Sequence, residues 1–512
     1  MTNDVTTPGI VAARIEPNSY VENFDDVHKP FNLHEAFVAA DRCYFCYDAP
    51  CVVACPTDID IPLFIRQIST GTPKEAAKTI LEQNILGGMC ARVCPTETLC
   101  EEACVREASE GKPVEIGKLQ RFATDKIMEE GNHPFHRSPE TGKNIAVVGS
   151  GPAGLACAHR LSMYGHRVDL FEARQKLGGL NEYGIAAYKT VDNFAEREVE
   201  WLLEIGGITP KLGIELGKDL LLEDLEQDYD AVFLAIGLGG VNELSLKDEE
   251  VSGVLSAVDF ISDLRQADQL KDIPIGRNVV VIGGGMTAID AAVQSKLLGA
   301  ENVTVVYRRD FDRMGASIKE REHATSAGVR ILTNLQPKRL VAEGADVKEI
   351  VFAYAQSENG RLKMGSEEVN LKADQIFKAI GQTCHEVNTK INSPANKIVI
   401  AESGRIGSQK IWAGGDCSHI GEDLTVTGSG SIVNKNVANS KTVNVSGLDL
   451  GNGVSATAGA ASNYTFAGGT QTINVIQRIL NSSGSRDYDS TTTVAAALLT
   501  LTNEVGSETL SL

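Results

Sequence analysis

The segment "CYFCYDAPCVVACP", residues 43 to 56, constrains this chain more than any other stretch, because four thiols in so short a span call for a shared ligand. "CARVCPTETLCEEAC", residues 90 to 104, repeats the demand, with Pro95 after Cys94 as Pro56 follows Cys55. Together they put eight of the eleven cysteines in the first 104 residues. The first run reads C-x2-C-x4-C-x3-C-P, close to the ferredoxin run C-x2-C-x2-C-x3-C-P but with two more residues in the middle gap. In such runs three thiolates take corners of one [4Fe-4S] cluster and the fourth serves another, so two clusters are expected. Structural zinc also uses C-x2-C pairs and stays open from these residues alone; plain buried thiols would not need such regularity.

Disulfides are the other use of a cysteine-rich segment. The start "MTNDVTTPGIVAARIEPNSY" has no basic leader, apolar core or small-residue cleavage site, so the thiols are expected to be reduced, in a cytoplasmic protein. No apolar run approaches the roughly 18 residues that cross a bilayer. A formal charge of -20 argues against nucleic acid and anionic lipid, so neither is expected as a partner. With 512 residues, the chain has room for about three or four domains.

Between the cysteine runs, Thr72-Pro73-Lys74-Glu75 reads as a capping box opening a helix that Gly87-Gly88 stops. "EIGKLQRFATDKIMEE" reads as a second helix with Ile116, Leu119, Phe122 and Ala123 on one face, and Gln120 as a solvated residue. The cysteines are expected on loops and helix starts.

"NIAVVGSGPAGLACAHRLSMYGHRVDLFEA", residues 144 to 173, follows as strand, glycine turn, helix and strand. Gly149, Gly151 and Gly154, with Pro152 and Ala153 at the helix start, bring backbone close to a pyrophosphate, and Glu172 can accept from a ribose hydroxyl. The pattern returns over residues 278 to 310 with Gly283, Gly285, Thr287 and Ala288, but here Arg308 and Arg309 stand where the first copy has an acid. Guanidinium groups pair with a 2'-phosphate that a carboxylate would repel, so this copy should favour NADP(H) over NAD(H), unless the arginines merely end a solvated strand. Glu172 and the following Gly179 and Leu180 suggest FAD at the first copy. "YDAVFLAIGLGG" with Gly237 and "ADQIFKAIGQ" with Gly381 read as strands where the chain enters and leaves an inserted nicotinamide domain; "IWAGGDC" adds Gly415 and Asp416, the latter set to bond a ribitol hydroxyl.

The expected class is therefore α/β. A helical double [4Fe-4S] domain over 1–140 precedes a discontinuous FAD domain over 141–275 and 375–426 and an NAD(P)H domain over 276–374, both Rossmann-like. From about residue 427 to 512, Ser, Thr, Asn and Gly dominate and a β-rich tail is expected. A dithiol outlet would need paired cysteines near the flavin, but Cys157, Cys384 and Cys417 are solitary. The N-terminal clusters are the remaining outlet. NADPH gives up two electrons as a hydride and a cluster takes one, so flavin must mediate; the transfer needs orientation and exclusion of water rather than an acid or base, and no catalytic side chain is expected.

With these motifs, "EIGKLQRFATD", "LGGLNEYGIAAYK" and "VYRRD" before "MGAS", residues 25 to 426 resemble the NAD(P)H-oxidising subunit of bacterial dihydropyrimidine dehydrogenase and its sister, the glutamate synthase small subunit. The resemblance implies one cluster on Cys43, Cys46, Cys51 and Cys104, and another on Cys55, Cys94, Cys100 and, in the dihydropyrimidine branch, Gln120, leaving Cys90 spare. It also implies a hetero-oligomer with an FMN-containing partner that reduces uracil or thymine. A glutamate synthase small subunit is the alternative, and a flavin-deficient fusion with a surface-binding tail is another. Two departures stand out: Ala186 follows Gly184-Ile185 where many relatives have proline, and after Val426 the family's flavin-closing helix gives way to "TGSGSIVNKNVANSKTVNVSG". The tail is similar in composition to adhesin repeats of the haemagglutinin type.

Overall fold

The computed structural model describes residues 3–384 except 132, 248, 359 and 360, then 397–420 except 402 and 407–409, and beyond these only short strands between 425 and 502. It divides into two units, Met1–Ile420 and Gly421–Leu512.

In the first unit, helices Leu33–Ala40, Ile61–Ser69, Pro73–Gln83 and Ile116–Glu129 pack around Phe64, Ile65, Ile80, Leu119 and Phe122, all nearly inaccessible to water. Each such side chain contributes roughly 1.5–3 kcal/mol by burial. Asn32 and Glu35 form a reciprocal capping box at the first helix, and Asp60 caps the second through Leu63 N. The capping box expected at Thr72 is absent: its hydroxyl donates to Gln67 O at 3.0 Å, although Pro73 does open the helix. That helix stops at Gln83, and Gly87 and Gly88 start a new one, Gly87–Val93, so Cys90 lies inside a helix.

Two parallel sheets follow. The first runs Ile411–Ala413, Ala231–Leu234, Asn144–Val148, Arg167–Glu172, Ile208–Leu212, so the order reverses beside Asn144–Val148, where the first glycine turn emerges. The second runs Arg330–Leu332, Asn302–Val306, Asn278–Ile282, Gln375–Lys378, Val254–Ser256 and reverses beside Asn278–Ile282 in the same way. In open parallel sheets such reversals form the ligand crevice. A three-stranded antiparallel sheet, Leu335–Glu343, Asp346–Glu358 and Arg361–Lys372, is inserted in the second, and Gly240–Val241 pairs with Gln382–Thr383 where the chain crosses between the two.

Strand pairing and packing move four expected boundaries. Val254–Ser256 and Gln375–Lys378 pair in the second sheet, so the inserted domain begins before 275 and ends after 375. The first residues do not join the helical domain: Ile10–Val11 pairs with Ile275–Gly276, and Tyr20 and Phe24 pack in the core of the second sheet. Arg14, 2% exposed, fastens this segment by donating to the carbonyls of Ile275, Thr7 and Gly9. Finally, Thr425–Gly428 pairs with Leu448–Gly451 in the second unit rather than joining the first sheet.

That second unit contains only antiparallel pairings among its described residues, such as Ala438–Asn444 with Gln471–Val475 and Asn481–Ser483 with Thr500–Thr502. No helix is described beyond Ile420. Among the described residues, no helix is long and apolar enough to cross a membrane.

Candidate functional site

The first glycine turn has no room for side chains. A Cβ on Gly149, whose φ is +97°, would fall 2.3 Å from Ala235 O, and one on Gly154 only 1.9 Å from Gly149 O. Gly151 instead faces open space, where among the described residues a Cβ would meet Gly179 Cα alone, at 3.9 Å, while a Cβ on Gly179 would meet Gly151 Cα at 2.5 Å. The helix Pro152–Met163 starts here with no side-chain cap, so its first N–H groups face this gap. Ala153 is half-buried at its start, and Leu180 begins the short helix Leu180–Tyr183 opposite. Glu172 is buried at the end of its strand; among the described residues Oε2 accepts from Ser150 N at 3.0 Å and from the Ser150 hydroxyl, and Oε1 from Arg174 N alone, at 2.9 Å. A lone pair therefore remains for a ribose hydroxyl.

Two other loops converge on this gap. A Cβ on Gly415 would sit 2.9 Å from Ala153 Cβ, which brings the exposed Asp416 beside the helix start. The backbone N–H groups of Ile236 and Gly237 reach the buried Cys417 thiol, tying the Gly237 turn to the same loop. Gly381 lies in the crossover, where its carbonyl accepts from Asn242 N at 3.1 Å.

The second turn is built alike. A Cβ on Gly283 would lie 2.2 Å from Ala379 O, while Gly285 again faces open space, with Thr287 and the buried Ala288 on the helix Met286–Leu297. Arg308 and Arg309 are exposed past the end of Asn302–Val306, and neither forms an ion pair among the described residues. They are available to an anion.

Cys43, Cys46, Cys51 and Cys104 line one cavity walled by Ile61 and Ile65. Burial pushes the Cys43 thiol up and Cys51 to about 12. Thiols so placed are poor as free acids, and a cation at their centre reverses the preference by holding thiolates. Cys55, Cys94 and Cys100 form a second group, in which Cys94 interacts with Cys90, Cys100 and Cys55, and Cys100 is raised by burial to about 12. Among the described residues no three His, Cys, Asp or Glu converge as they would on a single ion.

Gln120 is buried, not solvated: Nε2 donates to Gly87 O at 2.8 Å, and the amide also bonds the Cys90 thiol. Cys90 is lowered to about 7 by its hydrogen bond with Cys94 and then by Gln120 and Asn84. Gln120 and Cys90 thus both stand beside the second group.

A junction outside the sequence motifs joins these parts. Cys94, Pro95, Tyr188, Lys189 and Glu320 line a cavity of about 450 Å³. Lys189 Nζ lies 2.8 Å from Asp290 Oδ1 and 3.0 Å from Glu320 Oε1, and the Tyr188 hydroxyl donates to Asp290 Oδ1 at 2.7 Å. Burial works against the Lys189 cation, but the two carboxylates prevail and raise its pKa. The available signal is Asp290 within the apolar stretch 288–293 of the helix Met286–Leu297, four residues after Met286.

Comparison with known proteins bears on these sites. Residues 20–132 match the family described as dihydropyrimidine dehydrogenase domain II, 4Fe-4S cluster, and residues 143–439 match pyridine nucleotide-disulphide oxidoreductase. The NAD-dependent dihydropyrimidine dehydrogenase subunit PreT homolog of Salmonella typhi is 34% identical over 392 residues, 77% of this chain and 91% of the relative. PreT of Escherichia coli K12 is 34% identical over 77% of this chain and 90% of its own length. The glutamate synthase [NADPH] small chain of Escherichia coli K12 is also 34% identical, over 79% of this chain and 90% of its own length.

Proposed function

The chain belongs to the pyridine nucleotide-disulphide oxidoreductase family, in a branch that carries a dihydropyrimidine dehydrogenase-type 4Fe-4S domain, and we propose that it is the electron-input subunit of a larger oxidoreductase. Reducing power enters as a hydride from NADPH and leaves as single electrons to a partner subunit, which in the favoured reading carries FMN and reduces uracil or thymine. The observation that carries the proposal is the gathering of Cys43, Cys46, Cys51 and Cys104 around one apolar cavity, with Cys55, Cys94 and Cys100 grouped nearby.

Bound FAD supplies the exchange between paired and single electrons, and clusters supply one-electron carriers. What the chain contributes is placement. The open N-termini of Pro152–Met163 and Met286–Leu297 receive phosphates, and Arg308 and Arg309 take the 2'-phosphate of NADPH. Cys43, Cys46, Cys51 and Cys104 would hold one cluster; Cys55, Cys94, Cys100 and Gln120 the other. No side chain is assigned as acid or base. Each turnover balances: one hydride in, two electrons out and one proton released.

The glutamate synthase reading is favoured by a relative of equal identity, and the dihydropyrimidine reading by Gln120, buried at the second thiol group. Mixing the purified chain with each candidate partner and following NADPH loss decides between them. Oxidation that depends on uracil supports the first reading; oxidation that depends on glutamine plus 2-oxoglutarate replaces it with the second.

A further inference from the structure

Glu198 is a carboxylic acid that neither dinucleotide gap nor either thiol group uses. It lies on the helix Phe194–Leu203, between strands of the flavin domain, and is 1% exposed. Its target is the N-terminus of Gly87–Val93, the helix that holds Cys90 and ends on Cys94. Oε1 accepts from Gly88 N at 2.8 Å and Met89 N at 3.1 Å, and Oε2 from Met89 N at 3.3 Å.

The fit leaves no slack. A Cβ on Gly88 would lie 2.7 Å from Glu198 Oε1 and 2.6 Å from the Phe194 ring, so only glycine lets the two helices come this close. One turn on, Arg92 lies 3.3 Å over the Phe194 ring, donates to Gly88 O at 3.1 Å, and forks onto both Asp125 oxygens at 2.9 Å. Cys94 N closes the helix on Cys90 O at 2.9 Å. The segment bearing Cys94 is therefore fastened to the flavin domain at its first turn.

Packing alone would not explain a carboxyl here. Burying one costs free energy that an apolar side chain avoids, so a group aimed at two N–H donors serves direction. Burial outweighs those donors and Arg92 and lifts its pKa to about 8. The groups facing it are Arg92 and Cys90 on the cysteine-bearing helix and, through Arg92, Asp125 on Ile116–Glu129.

We propose that Glu198 is a positioning residue that locks the Cys94-bearing helix to the flavin domain and so sets the electron step from flavin to the second cluster. This rests on the reading that Cys55, Cys94 and Cys100 hold that cluster.

The test uses the anaerobic full-length holoprotein and its Glu198→Ala and Glu198→Gln variants. NADPH is mixed rapidly with each, flavin and cluster reduction are followed separately, and the cluster potential is measured by dithionite titration with electron spin resonance. We expect flavin reduction in Glu198→Ala to stay within about twofold of the parent, cluster reduction to slow by about tenfold or more, the cluster potential to shift, and Glu198→Gln, which keeps an acceptor, to recover most of the rate. Parental cluster reduction at an unchanged potential overturns the proposal, as does equal slowing of both steps. If Glu198→Ala loses iron, Glu198→Asp, with its carboxylate withdrawn by one methylene, carries the same readings. A parent chain without iron at the second group refutes the underlying reading instead, and iron analysis of the parent separates the two failures.

Discussion

Lys189 and Asp290 form an ion pair 2.8 Å long between the flavin and nicotinamide domains, with 13% and 7% of their side chains exposed. Glu320 shares the ammonium and the Tyr188 hydroxyl shares the carboxylate. Asp290→Ala removes the acceptor of both and leaves the cation with Glu320 alone. We expect a loss of about 3 kcal/mol, as for breaking a buried pair from one side. The double variant Lys189→Met/Asp290→Leu should recover most of it; urea unfolding of the holoprotein measures both.

Cofactor choice is tested at the exposed end of the second site. Arg308→Ala/Arg309→Ala should raise KM for NADPH by about 10- to 100-fold, or roughly 1.4–2.8 kcal/mol of lost binding, and change KM for NADH by less than about twofold. Steady-state kinetics with a dye acceptor reads this without the partner subunit.

Among the thiols, Cys51→Ala and Cys94→Ala should each cost about four iron atoms per chain, since each empties a corner of a different [4Fe-4S] cluster. Cys90→Ala should cost none. Iron analysis after anaerobic purification checks all three, and loss of iron from Cys90→Ala would move the fourth corner from Gln120 to Cys90.

Glu198 also gives the fold a pH dependence of definite sign. Its folded pKa, about 8, stands above the ordinary 4.5, so the folded form binds the extra proton between those values. Its contribution is fully present below 4.5 and is lost as pH rises towards about 8, by at most about 1.4 kcal/mol per pH unit. Relative to Glu198→Gln, the parent should lose melting temperature as pH rises across this window; a constant difference refutes the assignment.

The second unit begins after Ile420, and the first closes both parallel sheets without it. Truncation after Ile420 should therefore leave FAD per chain and melting temperature unchanged.

The two glycine turns were legible because their chemistry is local: Gly149, Gly151 and Gly154 answer to one turn and one helix, and so do Gly283, Gly285 and Ala288. The thiols were legible as a class but not in their division, because Cys104 reaches the cavity of Cys43 only after the intervening helices fold. Gln120 reads as solvated in the sequence because its burial depends on Gly87–Val93, a helix that the glycines Gly87 and Gly88 disfavour. Val254–Ser256 and Gln375–Lys378 were misplaced because a parallel strand carries no mark of its sheet. Lys189 and Glu198 act across domain boundaries, where periodicity and spacing are silent.

The most direct measurement is the metal and flavin content of the chain purified without oxygen. The expected result is about eight iron and eight acid-labile sulfide per chain, together with one FAD, in a brown protein whose clusters bleach on adding NADPH. A colourless protein holding zinc in place of iron would contradict it.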